Sequence, residues 1–215
     1  MKNIPLLLGT IFGSIALIFA VGFLFSRTPT SNTTTVDRAV LEADLANVKG
    51  ATESAKVTVV EFSDFQCPAC RATEPLVDQL AKEFADSVSF SYRHFPLESI
   101  HPNARAAALA AEAAATQNGF WPYHDLLFDK QDEWTPIANQ NELRTVFISY
   151  AKSLDLNADQ FATALDSPEV EARVNADTAL ANQLKVNSTP TFFVNGEPTS
   201  TIKLRETITS LLSVE

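Results

Sequence analysis

The chain contains two cysteines, Cys67 and Cys70, separated by Pro68-Ala69. A C-x-x-C pair serves three common chemistries, and two of them lack their other parts here. A zinc site needs four ligands. There is no second cysteine pair, and His94, His101 and His124 are scattered without ligand spacing. A c-type haem site needs His after the second cysteine, where Arg71 stands. A purely structural disulfide across so short a loop gains little chain entropy. Thiol–disulfide exchange is left.

Cys67 falls where a helix is expected to begin, and Pro68 suits the first helical position, which has no use for an N–H. Free backbone N–H groups and the helix dipole then favour a thiolate on Cys67. Cys70, three residues on, lies on the same face and nearly one turn deeper. It can resolve a mixed disulfide at Cys67 or close a disulfide with it. Arg71 is expected to add favourable charge, with Asp64 opposing. Glu61 sits among Val59, Val60 and Phe62. If buried there, its carboxyl has a raised pKa and can exchange a proton with Cys70; the alternative is a strand end that reaches solvent. In Ser188-Thr189-Pro190-Thr191, the ordinary expectation for Pro190 taken alone is a trans bond, since only about 5–6% of X–Pro bonds are cis.

These residues need elements to hold them. Lys56–Phe62 is β-branched and apolar on both faces apart from Glu61, as suits a covered central strand. Pro68–Phe84 shows helical spacing through Leu76, Leu80 and Phe84, and Val88–Phe95 alternates as a second strand. His101-Pro102 then opens an Ala-rich helix, the first of a helical block. Thr135-Pro136 and Ser167-Pro168 each read as an N-cap followed by proline at the first helical position. Asn157-Ala158-Asp159-Gln160 resembles a capping box with Asn in place of Ser or Thr. Thr191–Val194 is strand-like, Asn195-Gly196 is a hairpin turn, and Leu204–Leu212 is a closing helix. The order is that of an α/β domain interrupted by a helical block.

The amino terminus differs in kind. Ile4–Phe25 is 22 residues without a charge, which as a helix would span about 33 Å, close to the bilayer's hydrocarbon thickness. It is expected to be an uncleaved single-pass transmembrane anchor (residues 1–26). A cleaved signal ending near Ala20-Val21-Gly22 is the competitor, disfavoured because Phe23-Leu24-Phe25 continue the apolar run. With no cysteine near the run, a lipoprotein anchor is not expected. Residues 27–44 read as a polar tether and 45–215 as the folded domain. Lys2 and Arg27 are the only charges in the first 36 residues, so the rest carries 14 basic against 26 acidic side chains, a net −12. That sign argues against a nucleic-acid partner.

FSDFQCPAC, YRHFPL, HPNARAAALAAEAA, FWPYHDLLF and STPTFFVNG together resemble the DsbA-like thioredoxin family over about residues 45–213. The resemblance implies a thioredoxin-like fold with a helical insertion at about 101–186. It also implies a cis Pro190 facing the cysteine pair, and Thr189 offering backbone groups to an extended substrate. By the same resemblance Cys67 is the nucleophile, Cys70 the resolving thiol and Glu61 the buried acid. Two features depart from the strongly oxidising members. Pro68-Ala69 replaces their Pro-His, and Thr189 resembles the isomerase branch. The expected function is the introduction of disulfides into exported cysteine-containing proteins on the extracytoplasmic side of the cell membrane. A membrane partner would reoxidise the domain, which is expected to be a monomer that uses no cofactor or metal. Isomerase or reductase activity, or peptide binding without catalysis, are the alternatives.

Overall fold

The computed structural model describes residues 37–43, 46–52 and 55–213. The apolar run expected to be an anchor lies outside the described residues. Among the described residues no helix is long and apolar enough to cross a membrane. Residues 38–42, assigned to the tether from sequence, form a short helix instead, α1 (Arg38–Glu42), with Asp37 as its N-cap. Leu41 is the reason. It is fully buried against Val60, Phe62 and Phe193, so the folded unit takes in this segment.

Among the described residues the sheet has five strands: β1 (Val48–Gly50), β2 (Val57–Ser63), β3 (Val88–His94), β4 (Thr191–Val194) and β5 (Glu197–Thr199), in the order β1-β3-β2-β4-β5. Only β2 and β3 run parallel, and α2 (Pro68–Glu83) is their crossover. All seven residues of β2 are buried, as expected of a strand covered on both faces. Its alternation sorts them. Val57 and Val59 face Val77, Leu80 and the closing helix α9 (Leu204–Ser213). Val60 and Phe62 face the opposite layer with Leu41 and Ala181. Glu61 shares the parity of Val59 and therefore points toward α2.

The alternation of β3 would allow one face in water, yet all seven of its residues are buried. Small serines and a paired cation make this possible: Arg93 donates to Asp177 at 2.6 Å. Between β3 and β4 lie six helices, α3 (Ala104–Ala115), α4 (Phe120–Asp129), α5 (Gln131–Trp134), α6 (Gln140–Ser153), α7 (Ala158–Ala164) and α8 (Pro168–Gln183). They build their own core around Tyr123, Leu127, Trp134, Phe147 and Phe161, and it reaches Phe65 and both cysteines. The fold is thus a thioredoxin-like α/β sheet carrying the expected helical insertion.

The local signals held with two differences. Ser167 accepts from Val170 N–H, and Asn157 Oδ1 accepts from the N–H groups of Asp159 and Gln160. The reciprocal half of that capping box comes from elsewhere: Asn157 N–H donates to Gln117, not Gln160. Thr135 ends α5 rather than starting a helix, and α6 is capped by Asn139. The carbonyls of Trp134, Thr135 and Ile137 all turn toward the Asn103 side-chain amide, which holds this stretch as a turn. At the hairpin, Asn195 and Gly196 take φ of 48° and 89°, the positive pair a two-residue turn demands.

Candidate active site

Cys67 is the N-cap of α2, with φ −74° and ψ 120°, and Pro68 opens the helix. Cys67 N–H donates to Asp64 O at 3.0 Å, so a tight turn leads from β2 into the helix. Both cysteines are free thiols, Cys67 7% exposed and Cys70 wholly buried. Across from them, the Thr189–Pro190 peptide is cis, as the resemblance implied and contrary to the expectation for Pro190 taken alone. Cys67 Sγ lies 3.5 Å from the Thr189 carbonyl oxygen.

The Cys67 thiol is pulled down to about 5. The largest cause is a hydrogen bond from the Cys70 thiol, and the Thr189 side chain and the backbone N–H groups of Cys70 and Ala69 add to it against the cost of burial. The helix start thus acts through two named N–H groups. Cys70 moves the opposite way. Burial pushes it far above the ordinary thiol range, and its donation to Cys67 and the charge of Glu61 push it further. One sulfur is a ready thiolate and leaving group, while the other holds its proton.

Arg71 and Asp64 do not act on the pair as expected from sequence. Arg71 is bound to Asp132 at 2.7 Å, which spends its charge at the surface. Asp64 accepts from Gln66 N–H, Leu97 N–H and the His101 ring at 2.7–2.9 Å, so it fastens the turn.

Glu61 is 5% exposed, which excludes the solvent-reaching alternative. Burial raises its pKa to about 7; the nearby Ser63 hydroxyl and Lys49 ammonium oppose this, and Cys67 adds to it. Sequence reasoning missed what surrounds it. Glu61, Lys49, Glu74, Ser91, Tyr92 and His124 line one small cavity. Glu74 is raised to about 9, first by burial and then by the charge of Glu61. A signal for Glu74 was present, because it stands four residues after Cys70 and so on the same helical face. Lys49, which is ion-paired to Asp78, had none, since β1 is only three residues long. Among the described residues, no group of three or more His, Cys, Asp or Glu side chains is placed to hold a metal ion.

A family model described as thioredoxin matches residues 46–213. The chain belongs to the thioredoxin family. Solved structures share its shape over most of its length. BdbD from Bacillus subtilis is 27% identical with a TM-score of 0.65, covering 77% of this chain and 92% of that one. A thioredoxin-like oxidoreductase from Silicibacter pomeroyi is 28% identical with a TM-score of 0.67, covering 83% and 99%. A curated relative, the Na(+)/H(+) antiporter NhaA 3 of Salinispora tropica, is 43% identical over 156 residues. That match takes in 73% of this chain and 22% of the relative, so the chain spans about a fifth of the length of the curated relatives it first matches. In this thioredoxin-family domain, CPAC opens the helix and the Thr189-Pro190 loop faces it.

Proposed function

We propose that the domain is a thiol–disulfide oxidoreductase that introduces disulfides into exported, cysteine-containing chains. The observation that carries this reading is the asymmetry of the two sulfurs, with Cys67 drawn down to about 5 and Cys70 raised. In the oxidised domain a substrate thiolate attacks Cys67 Sγ, and the Cys67–Cys70 bond breaks. Its electron pair goes to Cys70, which takes up a proton, with Glu61 as the nearby acid. A second substrate thiolate then attacks the substrate sulfur of the mixed disulfide and releases Cys67 as a thiolate. Two electrons have passed from substrate to the cysteine pair, and a membrane oxidant takes them away. A leaving thiol of low pKa departs readily, which supports the oxidase direction. Thr189, with its carbonyl beside Cys67, and Pro190 would hold an extended substrate segment.

The apolar run Ile4–Phe25 would keep the domain on the extracytoplasmic face of the cell membrane, and carbonate washing of membranes carrying the full chain tests this. The antiporter name belongs to relatives much longer than the matched segment, and the activity proposed for that segment is the thiol chemistry. Isomerase or reductase activity on the same residues is the second reading, favoured by Thr189 beside Cys67. The deciding experiment incubates oxidised chain with a reduced, unfolded protein of several cysteines. The expected result is stoichiometric appearance of substrate disulfides, abolished by Cys67→Ser. Rearrangement of a scrambled substrate without net oxidation of a reduced one would replace the oxidase reading with the isomerase one.

A further inference from the structure

Gln131 opens α5, 61 residues beyond Cys70 in the chain, and is 4% exposed. Its side-chain amide donates to Phe65 O at 2.7 Å and to Cys67 O at 3.2 Å. An amide NH₂ has two N–H groups, and here each has its own carbonyl. Those carbonyls flank Gln66, so a single side chain from the insertion brackets the link between β2 and α2. Cys67 O also accepts from Arg71 N–H at 3.2 Å, the first hydrogen bond of the helix. The same carbonyl therefore ends both the helix ladder and the Gln131 contact. The other fastenings of this link act on its N–H side: Asp64 O accepts from Cys67 N–H at 3.0 Å, the Asp64 carboxylate accepts from Gln66 N–H, and the Gln66 side chain accepts from Asn103 N–H at 2.7 Å, which leaves Gln131 as the side chain that holds the Cys67 carbonyl.

We propose that Gln131 is a positioning residue of the redox pair, holding the main chain of Cys67 so that the Ala69 and Cys70 N–H groups face its sulfur. The physical reason is the torsion at Cys67. Its ψ of 120° sets where the following N–H groups point relative to its own side chain, and the orientation of its carbonyl reports the same torsion. Fixing that carbonyl with a buried donor fixes both. Without the donor, two carbonyls in a buried place lose a partner, and the link relaxes toward whatever arrangement replaces it. The proposal rests on Cys67 being the ionised sulfur.

The test uses the full chain reduced, with Gln131→Met, close in volume but without donors, and Gln131→Asn, which keeps the amide one methylene short. The readout is the pH of half-maximal Cys67 alkylation by iodoacetamide, with the reduction potential against glutathione beside it. A buried amide that merely satisfies carbonyls would change the melting temperature and leave that midpoint alone. The expected result is an upward shift of about one pH unit in Gln131→Met, or roughly ten-fold less thiolate between the two midpoints. Gln131→Asn should shift the same way by less, and both potentials should fall. A folded Gln131→Met with the wild-type midpoint overturns the proposal. If that variant does not fold, an unshifted Gln131→Asn overturns it instead. The shift is read relative to wild type, so a wild-type midpoint in the ordinary thiol range refutes the Cys67 assignment while the shift still decides Gln131.

Discussion

Cys67 Sγ and the Thr189 carbonyl oxygen lie 3.5 Å apart although 122 residues separate them in the chain. The contact joins the start of α2 to the loop before β4 and sets the sulfur beside the Thr189 backbone. The Thr189 hydroxyl is hidden from solvent and has no hydrogen-bond partner among the described residues, and the Thr189 side chain is one of the groups that draw the Cys67 thiol down to about 5.

Thr189→Val keeps the shape and removes the donor. A hydrogen bond to a charged group is worth about 1.5–3 kcal/mol, so the alkylation midpoint of Cys67 should rise by roughly one unit or more. Cys70→Ala should raise it further, because the Cys70 thiol is the largest stabiliser of the Cys67 thiolate. Alkylation across pH 4 to 9 reads both, and an order reversed between the two variants would assign the thiolate to other donors.

Glu61→Gln separates two roles of a buried carboxyl. As a neighbouring charge Glu61 raises Cys70, so its loss alone would speed attack by Cys70 on a mixed disulfide. As proton acceptor its loss should slow that attack by roughly 10²-fold. The second effect is expected to win, and the inflection near pH 7 set by Glu61 should vanish from the rate profile. Decay of a Cys67–glutathione mixed disulfide measures it. Faster decay in the variant would leave Glu61 as an electrostatic neighbour only.

Arg71 was expected to support the thiolate, and its pairing with Asp132 changes that expectation. The pair is exposed, with 37% and 83% of the two side chains in water, and such pairs are worth about 0–1 kcal/mol. Arg71→Ala should therefore move the Cys67 midpoint by less than about half a unit. Asp132→Asn frees the guanidinium and should lower the midpoint slightly, an effect that salt screens out. A full-unit rise in Arg71→Ala would show that the cation acts on the sulfur despite its partner.

What the sequence made legible divides along a physical line. Features carried by neighbouring residues could be read directly: the covered strand around Glu61, the helix start at Cys67, the Asn195-Gly196 turn and the caps at Asn157 and Ser167. Features that depend on residues far apart could not. Lys49 and Trp121 approach Glu74 only because β1 pairs with β3, and the Lys49 ammonium lies 4.3 Å from the Trp121 ring. β1 was missed because three residues carry no period. Its one local mark is Gly50, at φ 87°, where a Cβ would stand 2.4 Å from Val88 O. Asp132 against Arg71 likewise required the path of the whole insertion. The cis bond at Pro190 was legible by resemblance alone, since nothing local to Ser188-Thr189-Pro190 announces it.

The last prediction concerns the direction of electron flow. The reduced domain carries a thiolate that the oxidised domain lacks. With the folded pKa of Cys67 lowered from 9.0 to about 5, the folded state has released a proton that the unfolded state keeps between those values. Stability of the reduced form therefore rises with pH across that window and is lost as pH falls through 5. Glu61, raised from 4.5 to about 7 chiefly by burial, acts oppositely: it lowers stability as pH climbs from 4.5 to 7. It does so in both redox forms and largely cancels in their difference. At pH 7 the thiolate contributes about 2.7 kcal/mol to the reduced form, roughly 60 mV for a two-electron couple. Against this, closing the short C-x-x-C loop constrains the unfolded oxidised chain by about 2 kcal/mol. The two melting temperatures should therefore cross at roughly pH 6.5, with the reduced form higher at pH 8 and the oxidised form higher at pH 5.5. The matching reduction potential is moderately oxidising, roughly −130 to −230 mV. Paired melting scans of both forms at those pH values, with a glutathione titration, check it. An oxidised form that melts higher throughout, with a potential near thioredoxin's value of about −270 mV, would sink the oxidase direction and leave a reductase.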